Sequence, residues 1–348
     1  MRVLVLNTQV VFTKGGAEIH ADSLMDALSR AGHDAELVNI PFKWYPPEKI
    51  LDNLLACRML DITESNGVPV DRVIGLRFPA YHIPHPNKVL WILHQHRTAF
   101  DLWGKPICDI GCFPDGRIVR DAIARAEKEL LPEARAIFAN SNNVAQRLER
   151  FCGIHSTPLY HPPHGAELFH SGNDDDYLYY PSRISGLKRQ GLVLEALART
   201  RQPVRVVFSG SADNPEDLER LKETTKKLGL ERRVDWLGRV SHERMLELYA
   251  NCRAVVFPPL DEDYGYITLE AMLSSKPVIT CRDSGGPLEF VRDGESGLVA
   301  ESEAAPLAEA MDRIWKERTF AVQAGKLGRS LIDELGINWN NVVSKLLA

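Results

Sequence analysis

The chain has 348 residues, of which 44% are apolar and 26% charged, and its formal net charge is −5. This length is more than one ordinary doubly wound domain needs, and it fits two domains of about 150 residues each. The negative balance excludes a strong overall attraction to nucleic acid, although it leaves room for a local basic face, and we expect no nucleic-acid partner. The six cysteines follow no zinc-binding spacing, so we expect reduced thiols.

The beginning of the chain shows no targeting pattern. Met1 and Arg2 lead directly into four apolar residues, which is too short for the apolar core of a signal peptide. No apolar run approaches the roughly 18 residues that a membrane-spanning helix needs. We therefore expect a cytoplasmic protein, and peripheral contact with the inner face of a membrane is the alternative that the sequence leaves open.

Short apolar runs alternate with amphipathic stretches along the first half of the chain. Residues 2–6 predict a buried strand, and Gly15 and Gly16 follow in a loop. Apolar residues at helical spacing over 17–28 then predict a helix that ends at Gly32. Further strands are expected at 35–38, 72–75, 89–93, 136–139 and 158–160, and further helices at 118–131 and 142–151.

The alternation stops at residues 162–176 and then starts again. Prolines, glycines and the acidic run 174–176 indicate a linker, in which we expect the aspartates to be solvated and His161 and His164 to be loop residues. Beyond it, strands are expected at 178–180, 204–208, 234–236, 254–257, 277–280 and 297–299, and helices alone from 304 to 348.

Alternating strands and helices predict parallel sheets with helices on both faces. The expected fold class is therefore α/β, with two Rossmann-like doubly wound domains at 1–165 and 175–334. We expect the C-terminal helix, at about 335–348, to pack back on the first domain. Ligands of such sheets bind beyond the carboxyl ends of the strands, so two facing edges predict a cleft for a large polar ligand.

The most informative segment follows the strand expected at 254–257. Glu262 lies in the loop after this strand, and Glu270 lies one turn into the next helix, with seven residues between them. The first turn of a helix has N–H groups that can hold an anion such as a diphosphate, and Gly265 lets the backbone approach it closely. A carboxylate accepts hydrogen bonds from two neighbouring hydroxyls, so both glutamates suit a sugar or a ribose.

This segment resembles the E-x7-E region of the family 4 retaining glycosyltransferases, which have the GT-B fold. The similarity runs through Asp263-Tyr264-Gly265-Tyr266-Ile267-Thr268-Leu269-Glu270-Ala271-Met272, Lys276-Pro277-Val278-Ile279, Gly285-Gly286-Pro287-Leu288-Glu289, Asp293-Gly294 and Gly297. It covers nearly the whole chain and is more specific in the second half. The resemblance implies that Glu262 contacts the donor sugar, Glu270 the ribose, and the amides of Tyr266 and Ile267 the phosphates. It also implies an acceptor-side first domain and a nucleotide-sugar-binding second domain.

A second segment, residues 181–188, follows the first strand of the second domain. Arg183 and Lys188 lie five positions apart in a loop above a strand end, where both cations can converge on one diphosphate. They would also stabilise the nucleoside diphosphate as it leaves. The family has an Arg and a Lys in this loop for that role, so the resemblance implies the same for these two residues.

Two segments of the first domain are candidates for the donor site. His94 directly follows the strand at 89–93, and the resemblance implies that it positions the donor sugar; His96 and Arg97 are alternates in the same loop. Gly15 and Gly16 permit close backbone approach before a helix start, and the family has a Gly-Gly loop here beside the donor phosphates and the acceptor.

The remaining candidates concern the nucleotide and the metal. Ser209 and Gly210 follow a strand and can line the nucleotide site, and the resemblance places Arg239 and Val240 in the loop whose backbone meets the base. We expect no metal and no cofactor, because the similar enzymes neutralise the diphosphate with Arg, Lys and helix starts.

The expected function is a retaining transfer of a hexose from a UDP- or GDP-sugar to a glycan, lipid-linked or small-molecule acceptor, in bacterial polysaccharide or glycoconjugate biosynthesis. The acceptor hydroxyl would attack the face from which the diphosphate departs, and Glu262 and His94 would hold the sugar in position. Two alternatives remain: a nucleotide-sugar epimerase or isomerase of the same architecture, and a non-catalytic nucleotide-sugar-binding paralogue.

Overall fold

The structure is a computed structural model that describes residues 1–12, 15–105 and 108–348. The chain divides into two compact units. The first comprises Met1–His164 together with Asn338–Ala348, and the second comprises Gly165–Ile337. Each unit contains one six-stranded sheet, so the predicted α/β fold with two Rossmann-like domains is confirmed.

Parallel strands form both large sheets. The strands in chain order are β1 (Arg2–Gln9), β2 (Asp34–Pro41), β3 (Glu64–Ser65), β4 (Val68–Pro69), β5 (Arg72–Gly75), β6 (Lys88–Ile92), β7 (Ala136–Ala139), β8 (Thr157–Pro158), β9 (Leu178–Pro181), β10 (Val206–Ser209), β11 (Val234–Trp236), β12 (Ala254–Val256), β13 (Val278–Cys281) and β14 (Gly297–Ala300). The sheet order is β2-β1-β5-β6-β7-β8 in the first unit and β11-β10-β9-β12-β13-β14 in the second, while β3 and β4 form a separate antiparallel pair.

Helices connect the strands and cover the sheets. They are α1 (Gly16–Arg30), α2 (Glu48–Met59), α3 (Gly116–Leu130), α4 (Asn142–Cys152), α5 (Gln190–Leu197), α6 (Pro215–Lys227), α7 (His242–Asn251), α8 (Tyr266–Leu273), α9 (Ala304–Lys316), α10 (Arg318–Glu334) and α11 (Trp339–Leu347). Within the described ranges, no helix combines the length and the apolar character that crossing a membrane requires.

The core of the first unit is built on its central strand β6. All five residues of β6 are buried, as expected for a parallel strand that is covered on both faces. Trp91 of this strand shares an apolar cluster with Leu24 of α1 and with Val342 and Leu346 of α11. The C-terminal helix therefore packs on the first unit, and the carboxyl ends of β1 and β6 present their loops at one edge of the sheet.

In the second unit, β9 and β12 are the central pair. Both are buried along their whole length, and Val255 pairs with Tyr179 across the parallel ladder. Because all six strands are parallel, the loops after β9, β10, β12 and β13 leave the sheet at the same edge. These loops contain the residues that the sequence singles out.

The structure also contains elements that the apolar pattern does not predict. Helix α2 and the β3–β4 hairpin lie in a part of the chain without any predicted element. Leu55 and Met59 of α2 are exposed, so the apolar residues of this helix do not mark one buried face, and its helical period is blurred. Gly16 is the first residue of α1 rather than a loop residue, and β8 begins one residue earlier than predicted.

The acidic run before β9 is exposed as expected, but two of its aspartates also pair with a buried arginine. The guanidinium of Arg253 is buried and donates to Asp174 over 2.9 Å, and it also donates to Asp176. Leaving a buried guanidinium without a counter-charge is costly, so these aspartates have a structural role that their position in a polar segment concealed.

His161 is likewise no simple loop residue. It is buried, and its Nε2 lies 2.8 Å from Nδ1 of His20 on α1. The two rings pack against Trp91 and Trp339. Burial lowers the pKa of His20 to about 3, and it lowers the pKa of His161 as well. Both imidazoles are therefore neutral at pH 7 and belong to the core of the first unit.

Candidate active site

Backbone hydrogen bonds join the loops at the carboxyl edge of the second sheet. The amides of Asp261 and Glu262 donate to the carbonyls of Asp283 and Ser284, each over 2.9 Å, and the amide of Gly286 donates to the carbonyl of Glu262 over 2.8 Å. The loop after β12 is thus held against the loop after β13. These hydrogen bonds are made by the backbone alone. They therefore hold the backbone of Glu262 in place whatever the neighbouring side chains are.

Lys188 and Glu262 meet at this edge. The Lys188 ammonium donates to Oε2 of Glu262, and it lies 5.5 Å from the centre of the Phe257 ring. Both side chains are largely buried, with 13% and 22% of the side chain exposed. The structure therefore brings together two of the predicted residues that lie 74 positions apart in the sequence.

Two residues that the sequence reading missed hold this pair in place. The hydroxyl of the buried Tyr180 donates to the carbonyl of Lys188. Arg189 donates to the carbonyl of Pro258 over 2.8 Å and forms an ion pair with Asp283 at 2.7 Å. Arg189 thus links the loops after β9, β12 and β13. Its signal in the sequence was weak, since it appears there only as the neighbour of Lys188.

Gly210 allows the loops after β9 and β10 to touch. Its φ is +129°, and a Cβ atom at this position would lie 2.1 Å from the carbonyl oxygen of Ser182. Its amide donates to the carbonyl of Gly238 over 2.8 Å, so the loop after β11 joins the same framework. The hydroxyl of Ser209 is 2.7 Å from that of Tyr179, which ties it to the interior of the sheet.

Helix α8 begins next to Glu262. Gly265 precedes it with a φ of +84° and has no side chain that can cap the helix, while Tyr266 and Ile267 are half-buried at its first turn. The start of the helix is thus partly open to solvent. This arrangement suits the predicted contact of these amides with phosphates, because the first turn of a helix attracts anions.

Glu270 lies one turn further along α8 and accepts a hydrogen bond from the hydroxyl of Tyr249. Desolvation of its carboxyl raises the pKa of Glu270 to about 6, although the hydrogen bond from Tyr249 acts in the opposite direction. At pH 7 the side chain is therefore mainly a carboxylate that can accept further hydrogen bonds. Tyr249 is a second residue that the motif did not predict.

Arg183 lies in the loop after β9, and Arg239 and Val240 lie in the loop after β11. Arg183 is exposed and forms an ion pair of 3.1 Å with Asp213. Arg239 is exposed and Val240 is half-buried in the loop after β11. Their predicted roles toward the phosphate and the base stay predictions.

The candidates of the first unit lie at the carboxyl edge of its own sheet. Gly15 precedes α1, and its amide donates over 2.8 Å to the carboxylate of Glu18 in the first turn of the helix. His94 follows β6, and its Nδ1 donates to the carbonyl of Gln95 over 2.8 Å. The predicted contacts of Gly15, Gly16 and His94 with a donor remain predictions.

A buried carboxyl group supports the histidine loop. The carboxyl group of Glu127, on α3, accepts a hydrogen bond from the side-chain amide of Gln95 over 2.6 Å and another from the hydroxyl of Tyr81. Burial raises the pKa of Glu127 to about 7. The side chain of Gln95 thus links the loop that contains His94 to the core of the first unit.

Among the residues that the structure describes, no group of three or more His, Cys, Asp or Glu side chains is arranged to hold a metal ion. Metal-free chemistry nevertheless stays a prediction.

The family comparison concerns the second unit. Residues 169–331 match the family model described as glycosyl transferases group 1. This stretch contains the Lys188–Glu262 pair, the start of α8 and Glu270.

Several curated proteins are similar to parts of the chain. An alpha-1,3/1,6-mannosyltransferase ALG2 from Dictyostelium discoideum is 31% identical over 157 residues, which are 42% of this chain and 37% of that protein. A D-inositol 3-phosphate glycosyltransferase from Nocardia farcinica is 27% identical over 243 residues, which are 64% of this chain and 53% of that protein. The chain thus spans about half or less of the length of these relatives.

Solved structures resemble the chain over nearly its whole length. HepE of Anabaena, solved with UDP and glucose, has a TM-score of 0.71 at 16% identity. The alignment covers 99% of this chain and 98% of the HepE chain. Sucrose-phosphate synthase from Thermosynechococcus elongatus has a TM-score of 0.79 at 18% identity and covers 99% of this chain and 97% of its own. At such identities the likeness concerns the fold.

The two parallel α/β units and these structural neighbours define a protein of the GT-B fold. The second unit of the chain is similar to the group 1 glycosyl transferases.

Proposed function

We propose that the protein transfers a sugar from a nucleotide-diphosphate donor to an acceptor hydroxyl. The observation that carries this proposal is the contact of Lys188 with Glu262 beside the open start of α8. A cation and a helix start can neutralise a diphosphate, and a carboxylate next to them can accept hydrogen bonds from sugar hydroxyls.

The names of the relatives support the same reaction class. Two of them are a mannosyltransferase and an inositol phosphate glycosyltransferase, and one structural neighbour was solved with UDP and glucose. Transfer of a hexose from a UDP- or GDP-sugar to a glycan or lipid-linked acceptor is therefore our specific proposal. Retention of the anomeric configuration belongs to the proposal as well.

In the proposed reaction the diphosphate lies against the first turn of α8 and Lys188. The acceptor oxygen forms a bond to the anomeric carbon as the bond between this carbon and the phosphate oxygen breaks. The electron pair leaves with the phosphate oxygen, which takes the proton of the acceptor. Lys188 stabilises the negative charge that develops on this oxygen, because it is preorganised in a partly desolvated site.

The carboxylates have positional roles in this scheme. Glu262 accepts hydrogen bonds from the donor sugar, and Glu270, held by Tyr249, accepts them from the ribose. Holding donor and acceptor in a reactive geometry can supply a large part of the rate enhancement. Arg183 would join the phosphate only by leaving its exposed pair with Asp213.

The test is a panel of UDP- and GDP-sugars, with thermal shift and chemical analysis as parallel readouts. A donor present at 100 times its dissociation constant raises the free energy of unfolding by about 2.7 kcal/mol. Transfer predicts that free nucleoside diphosphate and a glycosylated product form together when acceptor glycans are added. NMR of the new linkage should show the anomeric configuration of the donor.

The two alternatives give different results in the same assay. An epimerase or isomerase would change the sugar of the donor without any acceptor. A binding paralogue would show the thermal shift without any product. If no nucleotide sugar shifts the melting temperature, the donor site itself is wrong.

A further inference from the structure

An aromatic pocket lies at the carboxyl edge of the first unit's sheet. Its volume is about 250 Å³, and its lining includes Phe42, Trp44, Phe78, His94, His96 and Arg97, all of them in the first unit. Pockets for drug-sized ligands usually measure roughly 300–1,000 Å³, so this one has room for a single small ring.

Aromatic rings line the pocket, and Phe42 meets two of them at steep angles. The ring centres of Phe42 and His96 are 6.1 Å apart at 81°, and those of Phe42 and Phe78 are 6.3 Å apart at 83°. Burial lowers the pKa of His96 to about 4, so this imidazole is neutral at pH 7. The electron-rich faces of aromatic rings attract the weakly positive C–H bonds of a saturated ring, and such walls therefore suit the apolar face of a sugar.

Arg77 and Arg97 both line the pocket, and both have carboxylate partners within the first unit. Arg97 donates to Asp101 through Nε at 2.9 Å and Nη2 at 2.6 Å. Arg77 donates to Glu18 at 2.7 Å and to the carbonyl of Thr8 at 2.8 Å. The four charged side chains are between 8% and 18% exposed, so these pairs are shielded from water. A phosphate on the ligand would have to break one of them and leave a carboxylate uncompensated.

We propose that this pocket binds an uncharged sugar ring as the acceptor and discriminates against rings that carry a phosphate. The inference rests on the proposed transfer function, because it names the acceptor of that reaction. The arginines neutralised by Asp101 and Glu18 set the preference, and the rings of Phe42, Trp44 and Phe78 supply the contact surface. A phosphorylated cyclitol, which appears in the name of one relative, should accordingly be a poor ligand.

Direct binding tests this proposal without requiring turnover. Saturation-transfer NMR on the full chain, with UDP present, would compare a panel of methyl pyranosides with D-inositol 3-phosphate. We expect at least one methyl pyranoside to bind at least tenfold more tightly than the inositol phosphate. Tighter binding of D-inositol 3-phosphate, or binding of neither class, would overturn the inference.

Four variants test which residues are responsible. Trp44→Leu should weaken binding of the pyranoside about tenfold, whereas Trp44→Phe should retain most of it, since it keeps an aromatic face. Phe113→Leu, at an exposed aromatic outside the pocket, is the matched control. Asp101→Asn removes the counter-charge of Arg97, and we expect it to improve binding of D-inositol 3-phosphate at least tenfold relative to the pyranoside.

Nucleotide-sugar binding, measured in the same samples, separates this proposal from the one on which it rests. If a UDP- or GDP-sugar binds but no pyranoside does, the neutral-acceptor proposal fails and the donor site stands. If neither nucleotide sugar binds, the transfer function fails first. Equal pyranoside affinity in Trp44→Leu and the wild type would also reject the pocket.

Discussion

The two sheets end in edges of different chemistry. In the second unit, Lys188 and Glu262 come together beside a helix start that has no side-chain cap, so the edge can receive an anion and hydroxyl groups. In the first unit, Glu18 at the start of α1 accepts from the amide of Gly15, and Arg77 and Arg97 are paired with carboxylates. The same parallel-sheet architecture therefore presents one edge suited to a charged ligand and one suited to an uncharged ligand.

The difference arises in the residues just after the strands. In the second unit they are glycines and charged side chains, fixed by backbone hydrogen bonds between loops. In the first unit they are aromatic rings and histidines, supported from behind by a buried carboxyl group on Glu127. A sheet edge thus takes its ligand chemistry from its loops, and the fold only determines where these loops meet.

The largest effect should come from removing the cation of the second edge. We expect Lys188→Ala to lower kcat about 10²- to 10³-fold, because it removes a preorganised charge from the leaving phosphate. Arg183→Ala is the informative comparison, since Arg183 is exposed and paired with Asp213. We expect Arg183→Ala to lower kcat about tenfold or less. Equal losses in the two variants would show that Arg183 reaches the phosphate after donor binding, and full activity of Lys188→Ala would remove the lysine from the site.

The second test concerns the backbone framework of the same edge. Gly210→Ala would place a Cβ atom 2.1 Å from the carbonyl oxygen of Ser182, at a φ of +129°. We expect a loss of about 3 kcal/mol in the free energy of unfolding, measured by urea denaturation, from the clash and the strained backbone together.

Gly186→Ala is the matched control in the loop after β9. A Cβ atom there meets nothing within 4 Å, and its φ lies outside the left-handed region. The control should keep the stability of the wild type. If both variants are equally stable, close contact between the loops after β9 and β10 is not needed for folding.

The third test concerns the carboxyl group behind the first edge. Burial raises the pKa of Glu127 from 4.5 to about 7, so the folded state binds more protons than the unfolded state between these values. The free energy of unfolding should therefore fall as pH rises through this window, by on the order of 3 kcal/mol. Glu127→Gln is neutral at every pH, and we expect it to be more stable than the wild type at pH 8 by about 2 kcal/mol.

Thermal unfolding at pH 4.5 and pH 8 measures this difference. The gain in the free energy of unfolding from Glu127→Gln should nearly vanish at pH 4.5, where the wild-type carboxyl is protonated and therefore neutral as well. Glu129→Gln, at an exposed position of the same helix, should behave as the wild type at both values. A glutamine variant that is less stable at pH 8 would mean that the buried carboxylate has a counter-charge.

The fold was predictable because parallel strands that are buried on both faces leave continuous apolar runs, as in β6 and β12. Helix α2 was not predictable from the sequence, since its exposed Leu55 and Met59 obscure the helical period. At the site, the spacing of Glu262 and Glu270 and the position of Lys188 after a strand were visible in the chain.

The partners of these residues were not predictable in the same way. Tyr249 reaches Glu270, and Arg253 binds Asp174, only because the fold brings separate segments of the chain together. The ion pair of Arg183 with Asp213 depends on loops whose approach requires a glycine at position 210. Pairing between distant positions is a tertiary property, and neither periodicity nor motif spacing contains it.

The smallest effect should come from Glu270, which we propose accepts hydrogen bonds from the ribose. Glu270→Gln should weaken nucleotide binding about tenfold at pH 7.5, as expected for one hydrogen bond to a charged group. Because the pKa of Glu270 is about 6, wild-type affinity should decline as pH falls through this value, whereas that of the variant should not. Tyr249→Phe removes a hydrogen bond that favours the carboxylate, so the decline should move to higher pH. Calorimetric titration with UDP and GDP from pH 5 to 8 measures all three proteins, and a pH-independent wild type would show that this carboxylate does not contact the nucleotide.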